Sequence, residues 1–278
     1  MGKVSCLVFM VCLGVFIWNK ASWPKDKIYP SHWTSPLEKR MLIDYPFSQE
    51  KMEEFLENRQ VATLQQLYSE ELEEERSQVE QIPSFQGIAV LVFSNQAQGK
   101  SLLAGLSAPL FEKVRQGQIW RLISPCFLHV RWLHLCWNMC LFIPLAWVVE
   151  KRIRGRGLLS LIVLLALSAN LAQYLVAGPL FVGLSGVVIG LAGFVVGRKE
   201  GSYWISKVFL GGLFCIIGLG ALVQLGLCLA QLFYGVATGW TTIANTSHLA
   251  GGVVGFLLGK SNLWKNQRSL SKVDGKVA

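Results

Sequence analysis

Between positions 132 and 259 the chain carries only nine charged residues, and all nine fall in two short clusters, 150–156 and 198–207. The rest of that stretch is almost continuously apolar. A soluble domain holds about 25% charged residues, because its surface must face water. A stretch this poor in charge is expected in a lipid bilayer, where every backbone N–H and C=O must be satisfied within the protein, so helices are the expected form. The fold class that follows is all-α and polytopic.

The remaining charge is distributed just as unevenly. Positions 20–131 hold 13 basic and 14 acidic residues, although the 278-residue chain as a whole has a net charge of +9. The excess positive charge comes from Lys3, from 150–156, from 198–207 and from the tail that begins at Lys260. Basic residues beside apolar segments mark cytoplasmic ends. The excess therefore reads as an orientation signal. No basic stripe with interleaved aromatics is present, so no nucleic-acid partner is expected. The seven Cys are odd in number, lie mostly in apolar runs and show no metal-ligand spacing. They read as small apolar residues, with no metal site or disulfide framework implied.

Six apolar segments can be marked: 4–18, 133–149, 157–177, 185–197, 208–234 and 248–259. With six spans and the three later basic clusters inside, both termini are cytoplasmic, and the second, fourth and sixth segments run from outside to inside. The first segment follows Lys3 and could be a secretory signal. No small-x-small cleavage site follows it, so a retained first span is the expectation. The domain division is then 1–23 as the first span, 24–116 as a charged and partly helical outer insertion, 117–260 as the core with five spans, and 261–278 as a basic tail. Within the insertion, 48–81 is rich in Glu, Gln and Leu and carries a patchy helical stripe. Positions 88–93 are apolar but too few to span.

Polar residues inside apolar segments are costly in a bilayer and mark functional sites. The second segment holds His134 and Asn138, the fourth begins with Ser185, and the sixth with His248. Asn138 precedes Glu150 by 12 residues, Ser185 precedes Arg198 by 13, and His248 precedes Lys260 by 12. At 1.5 Å per residue, all three lie about 18–20 Å from the cytoplasmic face. A Ser, a His and an Asn at one depth on parallel helices form a candidate reactive layer. Above it, Gly178-Pro179-Leu180-Phe181-Val182-Gly183 resists helix and reads as a re-entrant loop. Gly183, Gly186, Gly190, Gly193 and Gly197 recur at alternating spacings of three and four, as do His248, Gly252, Gly255 and Gly259. Small residues at that spacing let helices approach closely in lipid, which would bring Ser185 within reach of His248.

A serine hydroxyl becomes a nucleophile when a base takes its proton, and histidine suits that task. From 133 to 259 the only acids are Glu150 and Glu200, both beside cytoplasmic basic residues. A Ser185–His248 dyad is therefore expected, without a third acidic member. Oxyanion donors are available from backbone N–H groups at the helix N-terminus that Ser185 opens. Asn138 can donate through its amide. His134, four residues before it, shares its helix face.

Trp120-Arg121, His134-Leu-Cys-Trp-Asn138, Gly183-Leu-Ser185-Gly186 and His248-Leu-Ala-Gly251 followed by Gly255, in this order over about 117–260, resemble the rhomboid family of intramembrane serine proteases, in particular the compact six-span bacterial type. The resemblance implies a six-helix bundle with a re-entrant outer loop, Ser185 as nucleophile and His248 as general base. It implies transition-state support from His134, Asn138 and Gly183, and helix packing through Gly186, Gly190, Gly193, Gly252 and Gly255. It implies no cofactor, substrates that are transmembrane segments of membrane proteins, contact with membrane lipid, and residence in the plasma (inner) membrane. Three features depart from the family pattern. Ile189 stands where many relatives have Tyr, Thr246-Ser247 where Gly-Ala is common, and the outer loop is much longer. These departures motivate the alternative reading, a catalytically silent rhomboid-like protein that binds or traffics other membrane proteins. A small transporter or channel has no support, because no acid lies at depth.

Overall fold

The computed structural model describes residues 2–22, 35–45, 47–59, 69–80, 85–97, 99, 109–198 and 245–263, together with isolated helical positions between 211 and 226. Apart from those positions, the expected fifth span at 208–234 lies outside the described residues, as do most of the 198–207 cluster and the basic tail beyond 263. Among the described residues there are helices and coil and no strand. Two helices are long and apolar enough to cross a membrane, Lys3–Ala21 and Trp132–Ala177, and a shorter apolar helix is Ser185–Gly197.

In chain order the helices are α1 Lys3–Ala21, α2 Pro36–Met41, α3 Phe47–Asn58, α4 Glu70–Glu80, α5 Ile88–Ala97, the single turn α6 Glu112–Arg115, α7 Trp132–Ala177, α8 Ser185–Gly197 and α9 Asn245–Lys260. Two 3₁₀ turns, Ile119–Leu122 and Ser124–Phe127, precede α7. Within the stretch 48–81, expected to be partly helical, the described residues form α3 and α4, and 60–68 lie outside the described residues. The sixth apolar segment becomes helical at Asn245, three residues earlier than the sequence suggested. The fourth begins and ends where it was expected.

The break expected over 150–156 between the second and third segments falls at Arg154, where two helices, labelled together as α7, meet across a single non-helical residue with φ 62° and ψ 168°. This left-handed value is uncommon for a side-chain-bearing residue and costs on the order of 1–3 kcal/mol. The next residue, Gly155, packs against α1, with its Cβ position 3.1 Å from a Val4 methyl.

The reversal makes α7 a hairpin of two arms. Trp132 and Ala177 lie at what is here called the upper end, where the 3₁₀ turns also sit. Asn170 on the second arm donates to the Leu122 carbonyl at 3.0 Å, and Gly183 N–H donates to the Pro125 carbonyl at 3.1 Å. α1 runs antiparallel to the first arm. Its lower end is fixed by Glu150, whose carboxylate accepts from Val4 N–H (3.0 Å), Ser5 N–H (3.2 Å) and Ser5 Oγ (2.7 Å). These satisfy N–H groups that a helix leaves unpaired at its N-terminus, and the anion faces the positive end of the dipole. At the upper end Phe16 meets Trp132, with ring centroids 5.5 Å apart. The core between α1, α7, α8 and α9 is apolar and mostly aliphatic, with Phe142, Leu145, Leu158, Leu161, Leu165 and Leu191 fully buried.

α8 and α9 are parallel, and their contact is made by backbone. A Cβ on Gly251 would strike the Gly186 carbonyl, one on Gly255 the Gly190 carbonyl, and one on Gly193 the Gly252 carbonyl. Gly186 also faces Ala169, and Gly190 faces Leu165, so the second arm of α7 closes on the same stripe. Of the glycines expected to pack, Gly252 has the most room, with the Ile189 methyl 3.2 Å from its Cβ position. Gly251 lies outside the expected stripe but makes one of the closest contacts.

Inserting a methyl where backbone opposes backbone forces the helices apart at a cost of about 1–3 kcal/mol. Gly255→Ala should therefore lower the thermal midpoint of the purified protein clearly. Gly14→Ala in α1, where nothing lies within 4 Å, should leave it unchanged or raise it slightly, because Ala is the better helix former. Equal midpoints for the two variants would contradict this packing.

Candidate active site

Ser185 is the first residue of α8, with Leu184 as N-cap. The following N–H groups have no partner within the helix and point upward, out of the helix end. His248 lies in the first turn of α9. Because the two helices are parallel and in close contact, His248 Nε2 reaches Ser185 Oγ at 2.7 Å. This is the distance at which an imidazole can take a hydroxyl proton.

The third element is the coil before Ser185. Gly183 has φ +122°, a region that only glycine enters readily. A Cβ there would stand 2.8 Å from His134 Cε1 and 2.9 Å from Nε2, and 3.9 Å from Ser185 Oγ. The imidazole of His134 thus lies against the Gly183 backbone, close to the serine. Asn138 is buried one turn below His134 and donates from Nδ2 to the His134 carbonyl at 2.9 Å. One of its amide hydrogens therefore serves its own helix. Ser185, His248, His134 and Gly183 come together, and Asn138 lies one turn beneath them.

Ile189 packs toward α9 at Gly252, one turn below His248. Among the described residues no group of three or more His, Cys, Asp or Glu gathers as a metal site requires. The five described cysteines are all free.

Asn170, Gln173 and Tyr174, buried polar residues around the site, were not singled out from the sequence. Gln173 accepts from Ser247 N–H at 3.0 Å and so holds the residue before His248. Asn170, Gln173 and Tyr174 lie on one face of the second arm, at the spacing that was the available signal. His129 is 1% exposed and meets the His134 ring edge-on, with centroids 5.1 Å apart. Its Nδ1 lies 3.3 Å from the Phe127 carbonyl. Burial, and secondarily the neighbouring His134, push the His129 pKa down to about 4.

That shift has a pH consequence. In the unfolded chain His129 takes a proton near 6.5, and in the folded protein only near 4. Between these values the unfolded state binds more protons, so this residue's contribution to stability is full above about pH 6.5 and is lost as pH falls toward 4. His129→Phe should flatten the fall in thermal midpoint between pH 6.5 and 4. An unchanged slope would show that His129 is not buried in its neutral form.

Comparison with known proteins agrees with the arrangement. The Rhomboid domain model matches residues 116–264, more than half of the chain. The rhomboid protease GlpG of Klebsiella pneumoniae subsp. pneumoniae is 32% identical over 176 residues, which is 62% of this chain and 58% of the relative. The rhomboid protease GlpG of Salmonella typhi is 30% identical over the same coverage. That of Salmonella newport is 32% identical over 153 residues, or 53% of this chain and 50% of the relative. The chain therefore spans between half and three fifths of the length of these relatives. The match takes in the 3₁₀ turns, both arms of α7, α8 and α9, with Ser185, His248, His134 and Gly183 inside it, and on this evidence the chain belongs to the rhomboid family of membrane proteins.

Proposed function

We propose that this chain is an intramembrane serine endopeptidase that cleaves transmembrane segments of other membrane proteins. The observation that carries the reading is the 2.7 Å approach of His248 Nε2 to Ser185 Oγ at the N-terminus of α8. In the proposed reaction His248 takes the hydroxyl proton as Oγ attacks the scissile carbonyl. The oxyanion is held by the free N–H groups at the start of α8, with His134 beside Gly183 and Asn138 beneath. Collapse of the intermediate breaks the C–N bond, and His248 returns the proton to the leaving amine. Water, activated by the same imidazole, then hydrolyses the acyl-serine and regenerates the hydroxyl.

The same reading gives the topology. It has six spans, the sequence segment at 208–234 being the fifth, and the coil 178–183 re-enters from outside. The upper end faces outward, and both termini are cytoplasmic, in the plasma membrane. Residues 117–260 are the catalytic core, 24–116 an outer insertion, and 261–278 a basic tail. Lipid surrounds the exposed aromatics at the upper end, among them Trp120, Trp132 and Trp137, each more than half exposed. Ile189 favours a second reading, a rhomboid-like protein that binds membrane partners without cleaving them, because it supplies no aromatic ring at the position where many relatives have Tyr.

A serine-directed fluorophosphonate separates the two. The full-length protein in detergent should be labelled, and Ser185→Ala should lose all labelling. His248→Ala should slow labelling on the order of a thousandfold or more. Cleavage of a transmembrane substrate should follow the same pattern. Undiminished cleavage by the Ser185→Ala protein would sink the proposal, and an unlabelled wild type would favour the silent reading.

The insertion is proposed to capture substrate. Within it, Lys113 Nζ lies 3.1 Å from a Glu50 carboxylate oxygen in α3, which holds α3 to the end of the insertion that adjoins the core. Deleting 48–81 should reduce cleavage of native substrates while leaving fluorophosphonate labelling intact. Equal loss of both would mean instead that the insertion is needed for folding.

A further inference from the structure

Residues 35–45 precede the rhomboid match, yet they are among the most buried in the outer part of the chain. Leu42 and Ile43 are at most 1% exposed, and Asp44 and Tyr45 are 7% and 6%. So short a segment has too little apolar surface to stay buried on its own. It is held by polar bonds to elements that flank the candidate site.

These bonds come from three directions. From α1, Asn19 donates to Glu38 Oε1 at 2.7 Å, and Ser35 Oγ bonds Asn19 Oδ1, while Ser35 and Glu38 form a capping box that starts α2. From the 3₁₀ turns, Arg121 Nη1 donates to the Lys39 carbonyl (2.6 Å) and the Leu42 carbonyl (2.7 Å), and Ser124 Oγ donates to the Met41 carbonyl (2.6 Å). From the second arm, Tyr174 Oη donates to Asp44 Oδ2 at 2.6 Å and accepts from Phe111 N–H at 2.9 Å. Asp44 also accepts from Glu112 N–H (3.1 Å) and Lys113 N–H (2.9 Å). Buried charge-assisted bonds of this kind are the strong ones and fix geometry tightly.

The apolar side of the segment meets the coil that leads into Ser185. Ile43 shares a buried cluster with Tyr174 and Phe181. Leu42 and Tyr45 share another with Leu128, against which Val182 packs. Phe181 and Val182 immediately precede Gly183, the residue that lies against His134. Gly183 N–H is bonded to Pro125, in the same 3₁₀ turn whose Ser124 holds Met41.

We propose that residues 35–45 are a positioning strap for the nucleophile, holding coil 178–184 so that Ser185 and Gly183 keep their places against His248 and His134, with Asp44 as its main anchor. The strap touches no reacting atom and acts through Phe181 and Val182. This rests on the serine-hydrolase reading above, and the test keeps the two apart.

The test measures fluorophosphonate labelling of full-length protein in detergent, resolved into kinact and KI, below the thermal midpoint of every variant. Labelling of wild type but not of Ser185→Ala establishes the nucleophile first; an unlabelled wild type would overturn both readings together. Given that labelling, Asp44→Ala should lower kinact about tenfold to a hundredfold, the range produced by displacing a reacting group by up to about 1 Å, with KI little changed. Asp44→Asn keeps an acceptor oxygen and should recover most of the rate. Tyr174→Phe removes one hydroxyl while leaving the ring in its tilted contacts with Phe85 and Phe111, so it should fold and show a smaller fall in kinact. The proposal is overturned if kinact stays at the wild-type value in folded Asp44→Ala, if only KI rises, or if the loss merely follows the unfolded fraction. Should Asp44→Ala fail to fold, the Tyr174→Phe result decides alone, and a wild-type kinact there overturns the proposal.

Discussion

The contact on which everything else rests is the one between the backbones of α8 and α9. Apolar side chains give little drive for helix association in lipid, because the tails are as apolar as they are, so association depends on close van der Waals fit. Here the fit is at its limit. Carbonyls of Gly186 and Gly190 lie where side chains at 251 and 255 would have to be. Two helices this close, and parallel, bring their first turns side by side. A serine opening one and a histidine in the first turn of the other then meet at hydrogen-bond distance without any bend in either helix. The separation of Ser185 and His248 is a consequence of the glycines below them.

The second arm of α7 supplies what the helix pair lacks. The upper ends of α8 and α9 present unpaired backbone groups and non-helical chain, which a membrane protein can hold only where protein or water satisfies it. From one face of this arm, Gln173 does this for the start of α9, and Asn170 and Tyr174 fix the non-helical chain packed around it. Asn170 takes the carbonyl at the end of the first 3₁₀ turn, Gln173 takes the amide before His248, and Tyr174 takes Asp44 and Phe111. The same arm, lower down, lays Ala169 and Leu165 against Gly186 and Gly190. One helix therefore packs the glycine stripe with its apolar side chains and ties down the site with its polar ones.

The parts of this arrangement legible from sequence are those written in local periodicity. Glycines at three-four spacing gave the α8–α9 face, and the bounds of α8 follow from Gly183 at one end and Arg198 at the other. Ser185 and His248 stood out because polar residues are expensive in apolar segments. The reversal between the second and third segments was legible in the basic cluster at 150–156, but its placement at Arg154 was not, because nothing local marks an arginine for positive φ. Gly251 was passed over because its neighbour Gly252 fits the spacing equally well. Asp44 and Tyr174 carry no local signal of each other, since their meaning lies in a bond spanning 130 positions. The family-domain match has the same boundary: it covers 116–264 and does not include the segment 35–45 that packs against it.

Gly183 shows how the two kinds of information meet. Its positive φ turns the chain from the coil into α8, and its missing side chain leaves room for the His134 ring at under 3 Å. Any other residue would be strained by the first requirement and would displace the imidazole by the second. The turn that presents Ser185 and the ring that would face its oxyanion are thus set by one residue. They cannot be adjusted independently. A sequence motif records that the glycine is there. The reason lies in two neighbours distant in sequence: Pro125, which bonds the Gly183 amide, and His134, which occupies the space a Cβ would take. The chain before Gly183 must therefore arrive at a fixed position and angle, and for a coil with no helical bonds of its own that constraint has to come from outside it.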